Sequence, residues 1–446
     1  MYTKMKVLNM LRYIAAIVAT LCFSYSSVSM AKQQGPSIEQ WHTSNGAKVL
    51  FVASSELPMI DLRVVFDAGS AKDAEQPGLA LLSNGLLSEG TGGLDATAIA
   101  KHFESLGARF SNGSYRDMAI LSLRSLSDEK LLTPALDMFA RVLSQPSYPE
   151  DSFERERKRL LVSIQASKES IGNVTDKAFY KTIYGDHPYA QPSKGTEESV
   201  ALIKLENLRK FHQQYYVGSN AIVAIMGDLN RKQAEDLAEK VVGNLPKGKP
   251  ASIVPAPKKT QAKTVRIHHP SQQTHLMMGH PGMTRTDPDF FPLYLGNHVL
   301  GGGGLVSRLS EEIREKRGLS YSAYSGFSPM RAKGPYTLGL QTRNDQAEEA
   351  LKVMQQTLSD YIENGPTDEE LLAAKRNITG SFPLRLSSNK SIVEYLSLIG
   401  FYNLPLDYLD TFNAKIEEVT KEDIIDAYQR RVSMDQMMTI VVGGEQ

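Results

Sequence analysis

The chain has 446 residues, of which 41% are hydrophobic and 22% charged, and its 50 lysines and arginines balance its 50 aspartates and glutamates. This is the composition of an ordinary folded protein, and it excludes the fibrous and disordered classes. The neutral balance also argues against a general nucleic-acid-binding protein, because neutralising phosphates requires an excess of cations. A chain of this length can bury a sufficient core without disulfides or a structural metal.

Residues 1–31 have the pattern of a secretory signal peptide. Three basic residues precede an apolar run over 13–23, and small residues at 29 and 31 suit a signal peptidase, so we predict cleavage after Ala31. The run is about half of the ~20 residues that a membrane-spanning helix needs. The single cysteine, Cys22, lies inside it, and a cysteine-free mature protein suits an oxidising periplasm. We therefore expect a periplasmic protein with no membrane anchor after cleavage.

A stretch rich in proline and lysine at residues 246–263 divides the remaining chain. Such composition is typical of an exposed linker. It predicts an N-terminal domain at 32–245 and a C-terminal domain at 264–446. Because the two are similar in size, an internal duplication is the first arrangement to consider.

The two predicted domains follow a similar order of elements. Each begins with a β-rich stretch, at 47–68 and 264–279, and each closes with a helix and an apolar strand, at 205–226 and 421–442. The short apolar or alternating strands suit antiparallel sheets. We predict an α+β fold of two homologous halves, each an antiparallel β-sheet covered by helices on one face. The alternative is two unrelated α+β domains of similar size.

Common catalytic motifs are missing from the sequence. There is no H-x-x-E-H or H-E-x-x-H, and none of the nine histidines has a second histidine four residues away. Two imidazoles at that spacing would share one helical face and could bind zinc. The sequence also lacks a phosphate-binding loop, a Rossmann fingerprint and G-x-S-x-G. It therefore predicts no metal site and no nucleotide site.

The stretch from 300 to 322 carries the most organised detail. It opens with four glycines, Gly301, Gly302, Gly303 and Gly304. We predict a helix over 305–317 that ends at Gly318, and a strand that begins at Tyr321 and folds back beside it. This turn could bring Arg314 and Tyr321 together to hold a peptide carbonyl. The alternative is that Arg314 pairs with Glu311 on a solvated helix face and Tyr321 is a half-buried strand aromatic.

The run L-G-G-G, S-R-L and E-I-R-E-K-R-G-L-x-Y-S closely resembles the C-terminal block of the M16 (pitrilysin-like, mitochondrial-processing-peptidase-like) zinc peptidases. The similarity extends over essentially the whole mature chain. It implies the duplicated αβ roll of that family. It further implies that Arg314 and Tyr321 contact the substrate backbone near the scissile bond, and that Gly301–Gly304 lie beside the substrate.

The first half departs from the pattern of active family members, which carry H-G-L-A-H-F-L-E-H followed by G-T. Here residues 77–85 precede Gly90 and Thr91 at the same spacing. The histidine positions are therefore Leu81 and Gly85, and the glutamate position is Asn84. Leucine and glycine offer zinc no side-chain lone pair, and an amide cannot accept the proton that a general base removes from water.

The family's distal glutamate ligand falls near Val162 or Ser163, and neither residue can replace a carboxylate. The chain therefore keeps the substrate-contacting half of a bipartite active site and lacks the metal half. The resemblance implies a heterodimer in which zinc is bound by a partner that carries H-x-x-E-H. We predict that this chain is the non-catalytic, substrate-binding subunit of an exported peptidase.

Two alternatives remain open at the level of sequence. One is a catalytically inactive scaffold or peptide-binding protein that acts without a peptidase partner, alone or as a homodimer. The other is an independent activity that uses unrecognised residues.

Overall fold

Two large β-sheets, one in each half, form the framework of the chain. The computed structural model describes residues 36–444, and the predicted signal peptide at 1–31 lies outside them. The strands are β1 (Glu39–His42), β2 (Lys48–Ala53), β3 (Met59–Phe66), β4 (Gly90–Thr91), β5 (Leu94–Asp95), β6 (Arg109–Ser114), β7 (Ala119–Leu126), β8 (Ala221–Gly227), β9 (Lys263–His268), β10 (Gln273–Pro281), β11 (Ala323–Phe327), β12 (Pro335–Arg343) and β13 (Met438–Gly443).

Helices surround both sheets. They are α1 (Leu79–Gly85), α2 (Ala96–Ser105), α3 (Glu129–Ser144), α4 (Glu150–Ser167), α5 (Ile171–Tyr184), α6 (Glu197–Leu202), α7 (Leu205–Tyr215), α8 (Arg231–Val242), α9 (Phe290–Asn297), α10 (Ala347–Asn364), α11 (Asp368–Arg385), α12 (Asn389–Tyr402), α13 (Tyr408–Glu418) and α14 (Lys421–Arg431). Across residues 36–444, no helix has the length and apolar character needed to cross a membrane.

The two halves repeat one plan, which confirms the predicted α+β duplication. The first sheet has the order β1-β2-β8-β3-β7-β6, and the second has the order β11-β12-β10-β13-β9. In each sheet the strand that closes the half pairs in parallel with an opening strand, β8 with β2 and β13 with β9. The other neighbours are antiparallel. The sheets are therefore antiparallel except at one pair each, where the returning strand comes from a helical crossover.

Two predicted elements of the second half have different boundaries in the structure. The helix expected over 305–317 is broken: a 3-10 turn at Gly304–Val306 is followed by a π-helical turn at Ser310–Glu315. The strand expected from Tyr321 is a hairpin of β11 and β12, and Tyr321 itself precedes β11. The break falls at Ser307, whose backbone is extended with φ −82° and ψ 155°, so the predicted helix does not continue through this residue.

One helix of each half packs on the sheet of the other half. Helix α12 of the second half lies against β8, β3 and β2, and helix α5 of the first half lies against β13 and β10. The contact with α12 is close: a Cβ added to Gly400 would lie 2.7 Å from Leu50 Cδ1. On the other sheet, Phe179 of α5 is fully buried beside Ile440.

Helices therefore cover both faces of each sheet, whereas the sequence predicted one face. In β2, alternate residues belong to two cores: Val49 packs with the helices of the first half, and Leu50 packs with the core that contains α12. Its unbroken apolar run, like that of β8, is the pattern of a strand buried on both faces. That run was a signal in the sequence for a second covering layer.

The predicted linker has no helix or strand before β9, but hydrogen bonds tether it at intervals. Lys72 Nζ donates to the Ser252 carbonyl, and a ring nitrogen of His187 bonds the Pro255 carbonyl at 2.7 Å. Within the segment, Val254 is buried. From Ile38 onward the chain forms one compact unit.

Candidate functional site

Helix α1 holds the degenerate metal motif, and a buried carboxylate caps its N-terminus. The backbone turns into the helix at Gly78, whose φ of 99° favours glycine. Asp73 accepts hydrogen bonds from the backbone N–H of Gly78 at 2.8 Å and of Ala80 at 2.7 Å. Burial raises the pKa of Asp73 to about 7, because these two hydrogen bonds only partly offset the loss of hydration.

The three motif positions of α1 are occupied in ways that leave no ligand for a metal. Asn84 is 1% exposed. Its side-chain amide donates to the Tyr216 hydroxyl at 3.2 Å, and its backbone carbonyl accepts from the side-chain amide of Asn112 at 2.6 Å. Leu81 is half-buried against the core of the first half, and Gly85 is exposed. The site therefore presents hydrocarbon, a hydrogen-bonded amide and bare backbone.

Helix α4 contacts α1, as a helix that completes such a metal site would. At the position predicted for the distal ligand, Val162 is 69% exposed, and Ser163 Oγ accepts a hydrogen bond from Lys194 Nζ at 3.3 Å. An ammonium group there opposes a divalent cation. Over the part of the chain that the structure describes, no group of three His, Cys, Asp or Glu residues could hold a metal ion.

The glycine run follows α9 and packs tightly on β11. A Cβ added to Gly301 would lie 2.4 Å from the Ser325 backbone nitrogen, so only glycine permits this approach. The Asn297 amide donates to the Ser325 carbonyl at 3.1 Å, and Ser325 Oγ donates back to Asn297 Oδ1 at 2.7 Å. Gly301 is buried, whereas Gly302 and Gly304 are exposed. The run is thus anchored at its start and exposed further along.

Arg314 and Tyr321 both lie at the surface of this region. The Arg314 guanidinium has one carboxylate neighbour, Glu315, at 3.4 Å, and Tyr321 is 91% exposed. Glu311 pairs with Lys316 at 2.9 Å, so the alternative pairing of Arg314 with Glu311 is wrong. The alternative of a half-buried Tyr321 is wrong as well. Between 36 and 444, no hydrogen bond or cation–π contact joins Arg314 to Tyr321, and the Arg314 side chain is 36% exposed.

The backbone that carries these two side chains is well anchored. Arg308 makes a bidentate ion pair with Glu370 at 2.7 and 2.6 Å, which fixes the start of the π-helical turn. Ser320, next to Tyr321, donates its hydroxyl proton to the Gln341 carbonyl at 2.6 Å. Exposed donors on a fixed backbone are what recognition of a peptide carbonyl requires.

This fold and this site define a duplicated metallopeptidase scaffold without its metal ligands. Two family models match the chain: "Insulinase (Peptidase family M16)" over residues 48–197 and "Peptidase M16 inactive domain" over residues 203–378. A crystal structure of a peptidase M16 inactive domain from Pseudomonas fluorescens is 44% identical, with a TM-score of 0.89, and the match covers 92% of this chain and 98% of that one.

Curated relatives agree with this match. The non-peptidase homolog YmxG of Helicobacter pylori is 26% identical over 412 residues, which is 90% of this chain and 93% of the relative. The uncharacterized zinc protease YmxG of Bacillus subtilis is 25% identical over 355 residues, 79% of this chain and 86% of the relative. The chain belongs to the M16 peptidase family. It carries Leu81, Asn84 and Gly85 at the positions that the resemblance assigns to the zinc ligands and the general base.

Proposed function

We propose that this chain is the substrate-binding subunit of an exported M16 peptidase and positions a peptide for cleavage by a zinc-bearing partner subunit with H-x-x-E-H. The observation that carries the proposal is the exposure of Tyr321, with the partly exposed Arg314 guanidinium, on an anchored backbone. A guanidinium fork and a phenolic hydroxyl can both donate to a peptide carbonyl and stabilise the negative charge that develops on it. In this role the partner supplies the metal and the general base, because Leu81, Asn84 and Gly85 stand at the motif positions of this chain.

Exposed apolar side chains beside the glycine run support a partner at this surface. Leu305 and Val306 follow Gly304 directly, and both are among the exposed large hydrophobic residues. Neighbouring exposed apolar groups of this size are typical of a surface that another protein covers. A partner seated here would enclose Arg314 and Tyr321 in a cavity with less water, where their hydrogen bonds to a carbonyl strengthen.

Reconstitution tests the proposal. The mature chain, a co-exported H-x-x-E-H protein and their mixture are incubated with zinc and a fluorogenic peptide. We expect cleavage that is much faster in the mixture than with either protein alone and that a chelator abolishes. Cleavage by this chain alone would overturn the proposal. Peptide binding by this chain without any partner-dependent cleavage would instead support the scaffold alternative.

Variants of the site sharpen the test. Tyr321→Phe should lower turnover of the mixture by about 10²- to 10³-fold, the usual loss on removing one donor to a developing oxyanion. Tyr324→Phe is the matched control, because it removes a hydroxyl from a nearby, partly exposed tyrosine of β11. Size-exclusion chromatography should show the same assembly for both variants. The mass of protein recovered from the periplasm tests processing after Ala31.

A further inference from the structure

A cavity of about 550 Å³ lies in the second half between α9, α12 and α13. Six of its fifteen lining residues are aromatic, among them Phe290, Tyr294, Phe327, Tyr395 and Tyr408. Its volume lies within the roughly 300–1,000 Å³ typical of ligand sites, which are mostly apolar with a few polar groups. No part of the proposed role of Arg314 and Tyr321 uses this cavity.

Two arginines, Arg285 and Arg385, line the cavity. The Arg285 guanidinium lies over the Phe290 ring, 5.0 Å from its centroid, and the Arg285 Nε is buried without a hydrogen-bond partner. Arg385 donates to the Tyr294 hydroxyl at 3.1 Å. Aromatic rings and hydroxyls therefore support these two cations without neutralising them.

Glu394 also lines the cavity, but its negative charge does not neutralise these two arginines. Glu394 forms its ion pair with Arg63 of β3, at 3.1 Å, and this arginine lies outside the cavity. The cavity thus carries an excess of positive charge beside apolar rings. That combination suits a ligand with a carboxylate attached to an aromatic or large apolar group, because guanidinium binds carboxylate strongly and the rings bury the apolar part.

We propose that this cavity binds the C-terminal end of a peptide whose last residue is aromatic or large and apolar. Arg285 and Arg385 bind the terminal carboxylate, and the last side chain packs against Phe290 and its aromatic neighbours. The chemistry of a carboxylate beside an apolar group rests on the cavity alone. The choice of a peptide as its carrier rests on the proposed function.

The test measures binding of fluorescein-labelled peptides to the isolated mature chain by anisotropy, with no partner present. Two peptides share one sequence and end in phenylalanine, one with a free carboxylate and one as the amide. A third is the same amide with a glutamate in place of the residue before the phenylalanine. We expect the free acid to bind at least about tenfold more tightly than the amide, as loss of a charge-assisted hydrogen bond implies. Equal binding of the acid and the amide would overturn the proposal. Tight binding of the glutamate amide would overturn the assignment to a chain terminus.

Substitutions then locate the site. Arg285→Gln and Arg385→Gln should each weaken binding of the free acid by about tenfold or more and leave the weak binding of the amide unchanged. Arg376→Gln, at an exposed position on α11, is the control and should change nothing. Thermal unfolding confirms that each variant is folded, and Arg285→Lys, which keeps the charge, should retain part of the affinity. Unchanged affinity in both glutamine variants would overturn the proposal.

This outcome is independent of the peptidase assay. If Tyr321→Phe leaves turnover intact while the arginine variants lose the free acid, the proposed function fails and the cavity assignment stands. If Tyr321→Phe lowers turnover while the arginine variants still bind the free acid normally, the proposed function stands and the cavity assignment fails.

Discussion

Helices α1 and α9 occupy equivalent places in the duplicated chain, yet their surroundings differ in charge and in packing. A buried carboxylate without a cation, Asp73, caps α1. At the start of α9, Asp289 accepts hydrogen bonds from Arg430 and Arg431 at 2.6–2.9 Å. Duplication has thus repeated the backbone plan, while individual side chains decide the chemistry of each copy.

The two places also differ in what they can bind. Beside α1, the side-chain amide of Asn84 is hydrogen-bonded to Tyr216, whereas beside α9 there is a cavity lined by two arginines. The second half therefore has a cavity beside α9 that we propose as a binding site, although the first half has no metal ligands at the motif positions of α1.

The largest effect is expected where the halves interlock. Phe179 of α5 and Leu396 of α12 are both 0% exposed, and each belongs to a helix that packs on the sheet of the other half. Replacing either with alanine should cost about 2–5 kcal/mol of unfolding free energy through the cavity left behind. Urea titration should show the shift of Phe179→Ala in the fluorescence of Trp41, in the first half, as well as in circular dichroism.

The control for that experiment is Lys177→Ala, at an exposed position of α5. A Trp41 transition that does not move in Phe179→Ala would contradict the interlocking of the halves.

Restoring the glutamate of the motif should destabilise the chain. Asn84→Glu places a carboxylate at a buried position that has no cation, at a cost of about 1–3 kcal/mol at pH 8. The cost should shrink at pH 5, because burial favours the protonated form. Asn84→Gln has the same length without the charge, so the difference in melting temperature between the two variants isolates the electrostatic part. Identical melting temperatures at pH 8 would show that this position tolerates a charge.

The carboxyl that caps α1 should make stability fall as pH rises. The pKa of Asp73 is about 7 in the folded protein and near its ordinary value of about 4 in the unfolded chain, so the folded state binds the extra proton between these values. Stability should decrease from pH 4 to pH 7 by at most about 1.4 kcal/mol per pH unit from this group. Asp73→Asn should flatten that slope in denaturant titrations, and an unchanged slope would contradict the assignment.

Asp289 at the start of α9 should act in the opposite direction. Hydrogen bonds from Arg430 lower the pKa of Asp289, so its contribution is present above the unfolded pKa near 4 and is lost as pH falls through the lower folded value. Asp289→Asn should cost about 1 kcal/mol at pH 7, as expected for a partly exposed ion pair, and less below pH 3. A cost that grows toward acid pH would exclude this ion pair as its cause.

The smallest effect on stability is expected at the proposed substrate-contacting tyrosine. Tyr321→Phe removes a hydroxyl from an exposed side chain and should change unfolding free energy by less than about 0.5 kcal/mol. Its melting temperature therefore separates a loss of turnover from a loss of folding. A clear destabilisation would mean that the hydroxyl has a structural partner.

Features that depend on local spacing could be predicted from the sequence. The duplicated order of elements follows from the hydrophobic pattern, and the substitutions at Leu81, Asn84 and Gly85 follow from the resemblance of residues 77–91 to the family's motif. The packing of α5 and α12 on the sheet of the opposite half could not be predicted, because it depends on contacts between distant segments. The unbroken apolar run of β2 indicated only that this strand is covered on both faces. Nothing in the sequence indicated that Tyr321 is exposed, and the cavity arginines Arg285 and Arg385 come together only in the fold.

The exchange of α5 and α12 between the two halves bears on how the molecule would withstand proteolysis. A nick within residues 246–262, the segment before β9 that has no helix or strand, would leave each fragment still wrapped around the other's sheet. Nicked protein should therefore migrate as intact protein until it is denatured. Fragments expressed separately should each lack a covering layer, and should fold well only when they are produced together.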